Sequence, residues 1–171
     1  MATLRIAAKD VQAAGKARTR RAPRVDREGM EQKALIRWLY GEKMRGGATA
    51  GAYDHIYHVP NGGQRSKATA AALKSQGVRA GVSDLVLAIA RGGYHGLYLE
   101  FKATPPDHAA LADSQREWLG KVEQQGYCAV LARGLDEAKA VIREYMSLSP
   151  TVVAVAPQRV ASGTEWRKPH G

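Results

Sequence analysis

The chain has 171 residues, a formal charge of +10 and an apolar content of 44%, which suits one domain with loose ends and points to a polyanionic partner such as nucleic acid. Its single cysteine, Cys128, excludes an internal disulfide and a cysteine-based zinc site. No apolar run is long enough to span a bilayer and no signal peptide is visible, so no membrane partner and a reducing cytoplasm are expected.

Residues 1–27 carry Lys9, Lys16, Arg18, Arg20, Arg21, Arg24 and Arg27 among small residues. This composition predicts a disordered basic arm, either adding salt-sensitive affinity for nucleic acid or acting only as a solvated tail. Residues 28–45 read as a helix, with Glu31, Leu35 and Trp38 on one face. Two roles suit Glu31: a first-turn acid favoured by the helix dipole, or an acid reaching a metal site.

His55–Val59 reads as a short strand anchored by Ile56. His55 and His58 lack the helical spacing or the cysteine partner that a metal role would want. Pro60–Gly63 is a turn whose glycines permit close backbone approach, and Asn61, Gln64, Arg65 and Lys67 stand there as candidate nucleic-acid contacts. The plainer reading is a turn entering a helix. That helix, Lys67–Gln76, has a small-residue face of Ala68, Ala71, Ala72 and Ser75, expected to lie close on the sheet. The loop Gly77–Ser83 then presents Arg79 as a further candidate phosphate ligand.

The centre of the chain is Asp84–Lys102, two apolar runs around Gly92-Gly93, a β-hairpin signal. In the second run Leu97, Leu99 and Phe101 face one way, and Tyr98, Glu100 and Lys102 the other. Folding about Gly93 would set Asp84 opposite Lys102 and diagonal to Glu100. Two carboxylates brought together repel unless one is protonated or a cation lies between them. Hard oxygen donors suit Mg2+ or Mn2+, which leave positions open for water and a phosphate, while Lys102 can orient the water or screen charge. The bland alternative is a salt bridge on a strand.

Thr104-Pro105-Pro106-Asp107 breaks the strand, and Ser114–Glu117 has the form of a capping box that opens a helix. Gln115, Trp118, Leu119 and Val122 share a face of it, and Gln115 in the first turn can point toward the acids. Tyr127–Ala132 reads as a buried strand, with Cys128 a small apolar filler. Leu135–Met146 reads as a last helix with Ala138, Val141, Ile142 and Tyr145 inward. Val152–Ala156 is either an extra strand or a docked segment, and 157–171 a mobile basic end.

The order α-β-α-β-β-α-β-α predicts an α/β fold with helices flanking a small mixed central sheet. With Asp84, Glu100-Phe-Lys102 and Gln115 it resembles the PD-(D/E)XK nuclease superfamily. More closely it is similar to the VRR-NUC family in its small stand-alone phage and bacterial form. The pieces that carry this are Glu31, His58–Gly63, Gly77–Leu85, Tyr98–Lys102, and Ser114-Gln115 with Trp118-Leu119. The resemblance spans about 28–146, leaving 1–27 and 147–171 as extensions outside it. It implies a restriction-endonuclease-like fold and Mg2+- or Mn2+-dependent hydrolysis of DNA phosphodiesters inside a bacterial cell, whether host- or phage-encoded. It makes Asp84, Glu100 and the Phe101 carbonyl the metal ligands, with Glu31 the accessory acid, Lys102 the catalytic lysine and Gln115 the accessory glutamine. It also suggests homodimers able to cut branched DNA such as a Holliday junction. Ser83 stands where the superfamily's name has proline. The alternative is a non-catalytic DNA-binding protein on a nuclease-like scaffold.

Overall fold

A computed structural model describes residues 25–60, 66–154 and 162–163. The elements run α1 (Arg27–Met44), a 3-10 turn (Ala50–Ala52), β1 (Ile56–His58), α2 (Lys67–Ser75), β2 (Leu85–Leu87), β3 (Leu97–Lys102), α3 (Asp113–Gln124), β4 (Cys128–Arg133) and α4 (Gly134–Ser147). The predicted element order is therefore the observed one. The sheet order is β1-β2-β3-β4, with β1–β2 and β2–β3 antiparallel and β3–β4 parallel. A mixed sheet follows because a parallel partner for β3 needs a crossover, which α3 supplies.

Alternation on β3 sorts its two faces. Leu97, Leu99 and Phe101 are buried in the main core with Leu85 and Leu87 of β2, Leu35 and Leu39 of α1, and Ala138, Ile142 and Tyr145 of α4. Burying a leucine or phenylalanine contributes about 1.5–3 kcal/mol, so this layer is the main source of stability. Trp38 extends the α1–α4 contact outward, its ring lying under Arg143 at 4.9 Å and Lys139 at 6.0 Å. On the opposite face Tyr98 meets Trp118 of α3 edge-on at 6.4 Å. Glu100 and Lys102 share that face, so the core anchors the strand by one side while the other side presents charge.

Several expectations change here. Leu85 pairs with Leu99 and Leu87 with Leu97. One step further along that register sets Asp84 opposite Glu100, not opposite Lys102. The hairpin is not closed by a tight Gly-Gly turn: residues 88–96 form a longer loop, tied down by Gly92 N–H to the Ser149 carbonyl (2.8 Å) and Thr151 N–H to the Ala90 carbonyl (3.3 Å). Just ahead of the C-terminal segment, Ser149–Thr151 docks on this loop, but the strand or docked segment expected over Val152–Ala156 is absent from its described part: Val152 and Val153 are exposed and no strand forms over 151–154.

Helix α2 does not lie on the sheet. Ala68, Ala71, Ala72 and Ser75 are all exposed and only Leu73 is half-buried, because alanine and serine carry too little apolar area to hold a helix down. Among the described residues strand β4 lies at the sheet edge, half-buried over 128–131, buried at Ala132 and exposed at Arg133, rather than fully buried. Helix α3 begins two residues earlier than the capping-box pattern indicates. Ala112 is its N-cap, Gln115 Oε1 accepts from Ala112 N–H (2.9 Å), and Glu117 pairs instead with Lys121 (2.6 Å). The arm 1–24, the turn residues Asn61, Gln64 and Arg65, and most of the C-terminal end lie outside the described residues, as does the Lys67 side chain.

Candidate active site

The site is built where the start of β2 meets the far end of β3. Glu100 is fully buried and Lys102 almost so, and Lys102 Nζ donates to Glu100 Oε1 at 2.6 Å. The i, i+2 spacing on one strand forces this meeting. Gln115 Nε2 donates to the same Oε1 across a short hydrogen bond, while its own Oε1 holds the α3 N-terminus. One glutamine thus ties the acid to a helix end, which carries the expectation that Gln115 points back toward the acids. Glu100 Oε2 is buried with no hydrogen-bond partner among the described residues. A carboxylate with one oxygen doubly bonded and the other left bare is a ready acceptor for a cation.

Asp84 lies beside Glu100 on the same face, directly opposite positions being about 5 Å apart. Its Oδ2 accepts from Phe101 N–H at 3.0 Å, and its carbonyl accepts from Val59 N–H at 2.8 Å and from His58 Nδ1 at 2.9 Å. In this last contact Nδ1 is the donor, since a carbonyl only accepts; the Gln32 side-chain amide lies 3.3 Å from the same nitrogen. His58 is therefore a positioning residue for Asp84, a role that spacing on the chain did not reveal. The loop ahead of Asp84 is held against α3 by Gly81. Its φ is +81° and a Cβ there would lie 2.2 Å from the Ser114 carbonyl oxygen, so only glycine lets the Asp84 loop approach the Gln115 helix this closely. Ser83, in the proline position of the superfamily name, is buried with its hydroxyl unpartnered among the described residues.

The electrostatics follow from burial. Desolvation lifts the Glu100 carboxyl to about 7, the neighbouring Asp84 and Glu28 charges add to the rise, and the Lys102 ammonium opposes it. Glu28, in the first turn of α1, is raised too, chiefly by burial and then by Asp84, against the pull of Lys102 and the Ala103 N–H. So the α1 acid in electrical contact with the site is Glu28. Glu31 sits one turn on and is spent on Thr104: its Oε2 accepts from Thr104 N–H (3.1 Å) and Thr104 Oγ1 (2.9 Å), clamping the end of β3 to α1. The face shared with Leu35 and Trp38 leaves both roles of Glu31 open, and only the family resemblance makes it the accessory acid; the signal for Glu28 is its place in the first turn, within reach of a strand end.

This difference is testable. Glu28→Gln is expected to lower turnover at this site by about 10–100-fold, the cost typical of losing a supporting partner of a metal-binding acid, with the melting temperature held. Glu31→Ala is expected to cost about 1 kcal/mol in stability, read from the urea midpoint, and little activity. The reverse ranking would return the accessory role to Glu31.

Among the described residues no three His, Cys, Asp or Glu side chains converge into a ready-made metal cage. The donor set that fits is smaller: the Asp84 and Glu100 carboxylates with the Phe101 backbone carbonyl. Magnesium and manganese accept such a set because they retain water in their remaining positions. The bare buried Oε2 of Glu100 is the observation that makes the fit. Of the candidate nucleic-acid contacts, Arg79 is exposed and lines a cavity of about 600 Å3 with Lys74, Lys121 and Trp118, the last one helical turn along α3 from Gln115.

A four-stranded mixed sheet with helices on both faces, carrying Asp84 and Glu100-x-Lys102 at adjoining strand positions, defines the restriction-endonuclease-like class of nuclease folds. The VRR-NUC domain profile matches residues 26–136. A solved VRR_NUC domain protein superposes with a TM-score of 0.60 at 32% identity, over 75% of this chain and 94% of that one. No curated protein matches the sequence. The chain belongs to the VRR-NUC family. No helix among the described residues is long and apolar enough to cross a membrane.

Proposed function

We propose that this protein is a divalent-metal-dependent endonuclease that hydrolyses DNA phosphodiester bonds, selectively in branched DNA, as a homodimer. The observation that carries the reading is the Asp84–Glu100–Lys102 arrangement with its bare, buried Glu100 oxygen. A surface salt bridge needs none of this, since exposed pairs contribute at most about 1 kcal/mol and need no burial.

Asp84, Glu100 and the Phe101 carbonyl would hold Mg2+ or Mn2+, which supplies positive charge at the phosphate and acidifies the attacking water. Lys102 Nζ gives one N–H to Glu100 and has two more to place on the water or on a phosphate oxygen. Water adds to phosphorus, the P–O bond to the leaving strand breaks, and that oxygen takes up a proton. Gln115 fixes the Glu100 rotamer throughout, so the acid does not reorganise as charge develops. A non-catalytic binder would gain nothing from acids set beside phosphate, which they repel. The positive charge of the whole chain is needed to offset them.

The homodimer suits a junction with two strands to cut, because a two-fold pair of sites matches that geometry. The test is a panel of linear, flap, fork and four-way-junction DNA with and without Mn2+, alongside light scattering. Metal-dependent cutting biased to the branched substrates is expected, and Asp84→Asn should reduce it to background. Salt-sensitive binding with no metal-dependent turnover would leave the scaffold alternative in its place.

A further inference from the structure

We infer that a groove along α1 binds an unpaired single strand of DNA leaving the active site, and that Tyr40 stacks on one of its bases. Two cavities make the groove. One, of about 490 Å3, is lined by Gly29, Lys33, Arg37, His58 and Leu85 among others; the next, of about 250 Å3, is lined by Ile36, Arg37, Tyr40 and Tyr53. Ile36 and Arg37 line both, so the two are neighbours along the helix. The near end lies beside the site, because Gly29 adjoins Glu28 and His58, which lines the first cavity, holds the Asp84 carbonyl. From Gly29 to Tyr40 the helix rises about 16 Å, the length of some four to five stacked nucleotides.

The chemistry along the groove suits a strand. Lys33 and Arg37 are exposed, one turn apart on the same flank, and form no ion pair with an acid among the described residues. The acid at the near end, Asp26, is spent on the α1 N-terminus through Gly29 N–H at 2.9 Å. Between the two cations Ile36 gives an apolar floor. At the far end Tyr40 is 50% exposed, with its ring 5.3 Å from that of Tyr53, which has the Lys43 ammonium 5.5 Å from its centre. Lys43 is itself paired with Asp54. A half-exposed tyrosine propped by a second ring, at the end of a cationic track, is the pattern that holds a base without reading its sequence. A duplex keeps its bases stacked inside and cannot use it. The occupant is therefore the single-stranded segment of a branched or tailed substrate.

The inference rests on the nucleic-acid reading above, and its test separates the two. Binding is measured by fluorescence anisotropy without divalent metal, comparing blunt duplex with the same duplex bearing a single-stranded tail. Cutting of both by the wild-type protein with Mn2+ is followed in parallel. The wild-type protein is expected to prefer the tailed DNA. Tyr40→Ala should weaken tail binding by about 5- to 150-fold, the range for loss of one stacked base, and Tyr40→Phe, which keeps the ring, should restore it. Lys33→Glu with Arg37→Glu should flatten the salt dependence of tail binding by about 1.4 in the logarithmic slope. No preference for the tail, or a preference untouched by Tyr40→Ala, would overturn the groove whether or not the protein cuts DNA. So would a Tyr40→Ala variant that turns a dimer into monomers while binding the tail normally, since the groove would then seat a second copy. Tail preference without any cutting would leave the groove standing and remove the nuclease.

Discussion

Glu100→Gln is expected to abolish metal-dependent cleavage and, at the same time, to flatten the fall in stability between pH 4.5 and 7. The two effects share one cause. Burial raises the folded-state pKa of Glu100 from 4.5 to about 7. Below pH 4.5 the carboxyl is protonated in both folded and unfolded chains and costs nothing extra. As pH rises from 4.5 to 7 the unfolded chain gives up the proton while the folded one keeps it, so stability falls steadily and the loss is complete above 7. The size is up to about 3 kcal/mol at pH 8. Glutamine keeps an acceptor for Lys102 and carries no charge, so the variant should lose that pH slope. It would also remove an anionic ligand from the proposed metal, and cleavage should drop by about 1,000-fold or more. Urea denaturation from pH 4 to 8 checks the first part and Mn2+-dependent turnover the second. An unchanged slope would mean the carboxylate is better solvated than its surroundings indicate.

Lys102→Met is expected to fail in the opposite way, losing both stability and activity. The ammonium is 7% exposed and is the only cation within hydrogen-bonding distance of Glu100 among the described residues. Its removal leaves a buried carboxylate with one amide partner, at a cost of about 3–5 kcal/mol when the acid is ionised. The acid can escape part of this by taking a proton, so the loss should be greatest above pH 7 and shrink at pH 5. Turnover should fall by about 100- to 10,000-fold, the range for a group that positions or moves a proton. Lys102→Arg separates the two roles: it keeps the charge beside Glu100 and most of the stability, but its planar fork cannot set a water as an ammonium does. Thermal melts at two pH values and cleavage rates for the three proteins distinguish these outcomes.

Much of this was legible in the chain because strand alternation is strict. Once Leu97, Leu99 and Phe101 are given to the core, Glu100 and Lys102 have to share the other face, and both do. The helices of α1, α3 and α4 were legible for the same reason, each carrying an apolar stripe that a sheet face needs. Register was not. A tight turn would have paired Asp84 with Lys102, but the loop 88–96 takes its geometry from Ser149–Thr151, far away in sequence, and the strands shift so that Asp84 faces Glu100. That shift brings the two acids closer together than the local pattern did. The placement of α2 was also hidden, since an alanine face marks close packing only when something apolar beside it anchors the helix. Glu28 and His58 escaped for a third reason: each acts on groups far away in sequence, Glu28 on the Lys102 and Asp84 charges and His58 on the Asp84 carbonyl, which no spacing rule records.

The central claim is that Asp84 and Glu100 grip one divalent cation together. Crystals grown with Mn2+ and measured at the manganese absorption edge test this directly. An anomalous peak is expected between the two carboxylates, within bonding distance of the Phe101 carbonyl oxygen, in the wild-type protein and not in Glu100→Gln. A manganese ion bound elsewhere on a protein that still cuts DNA, with this pair left bare, would contradict it.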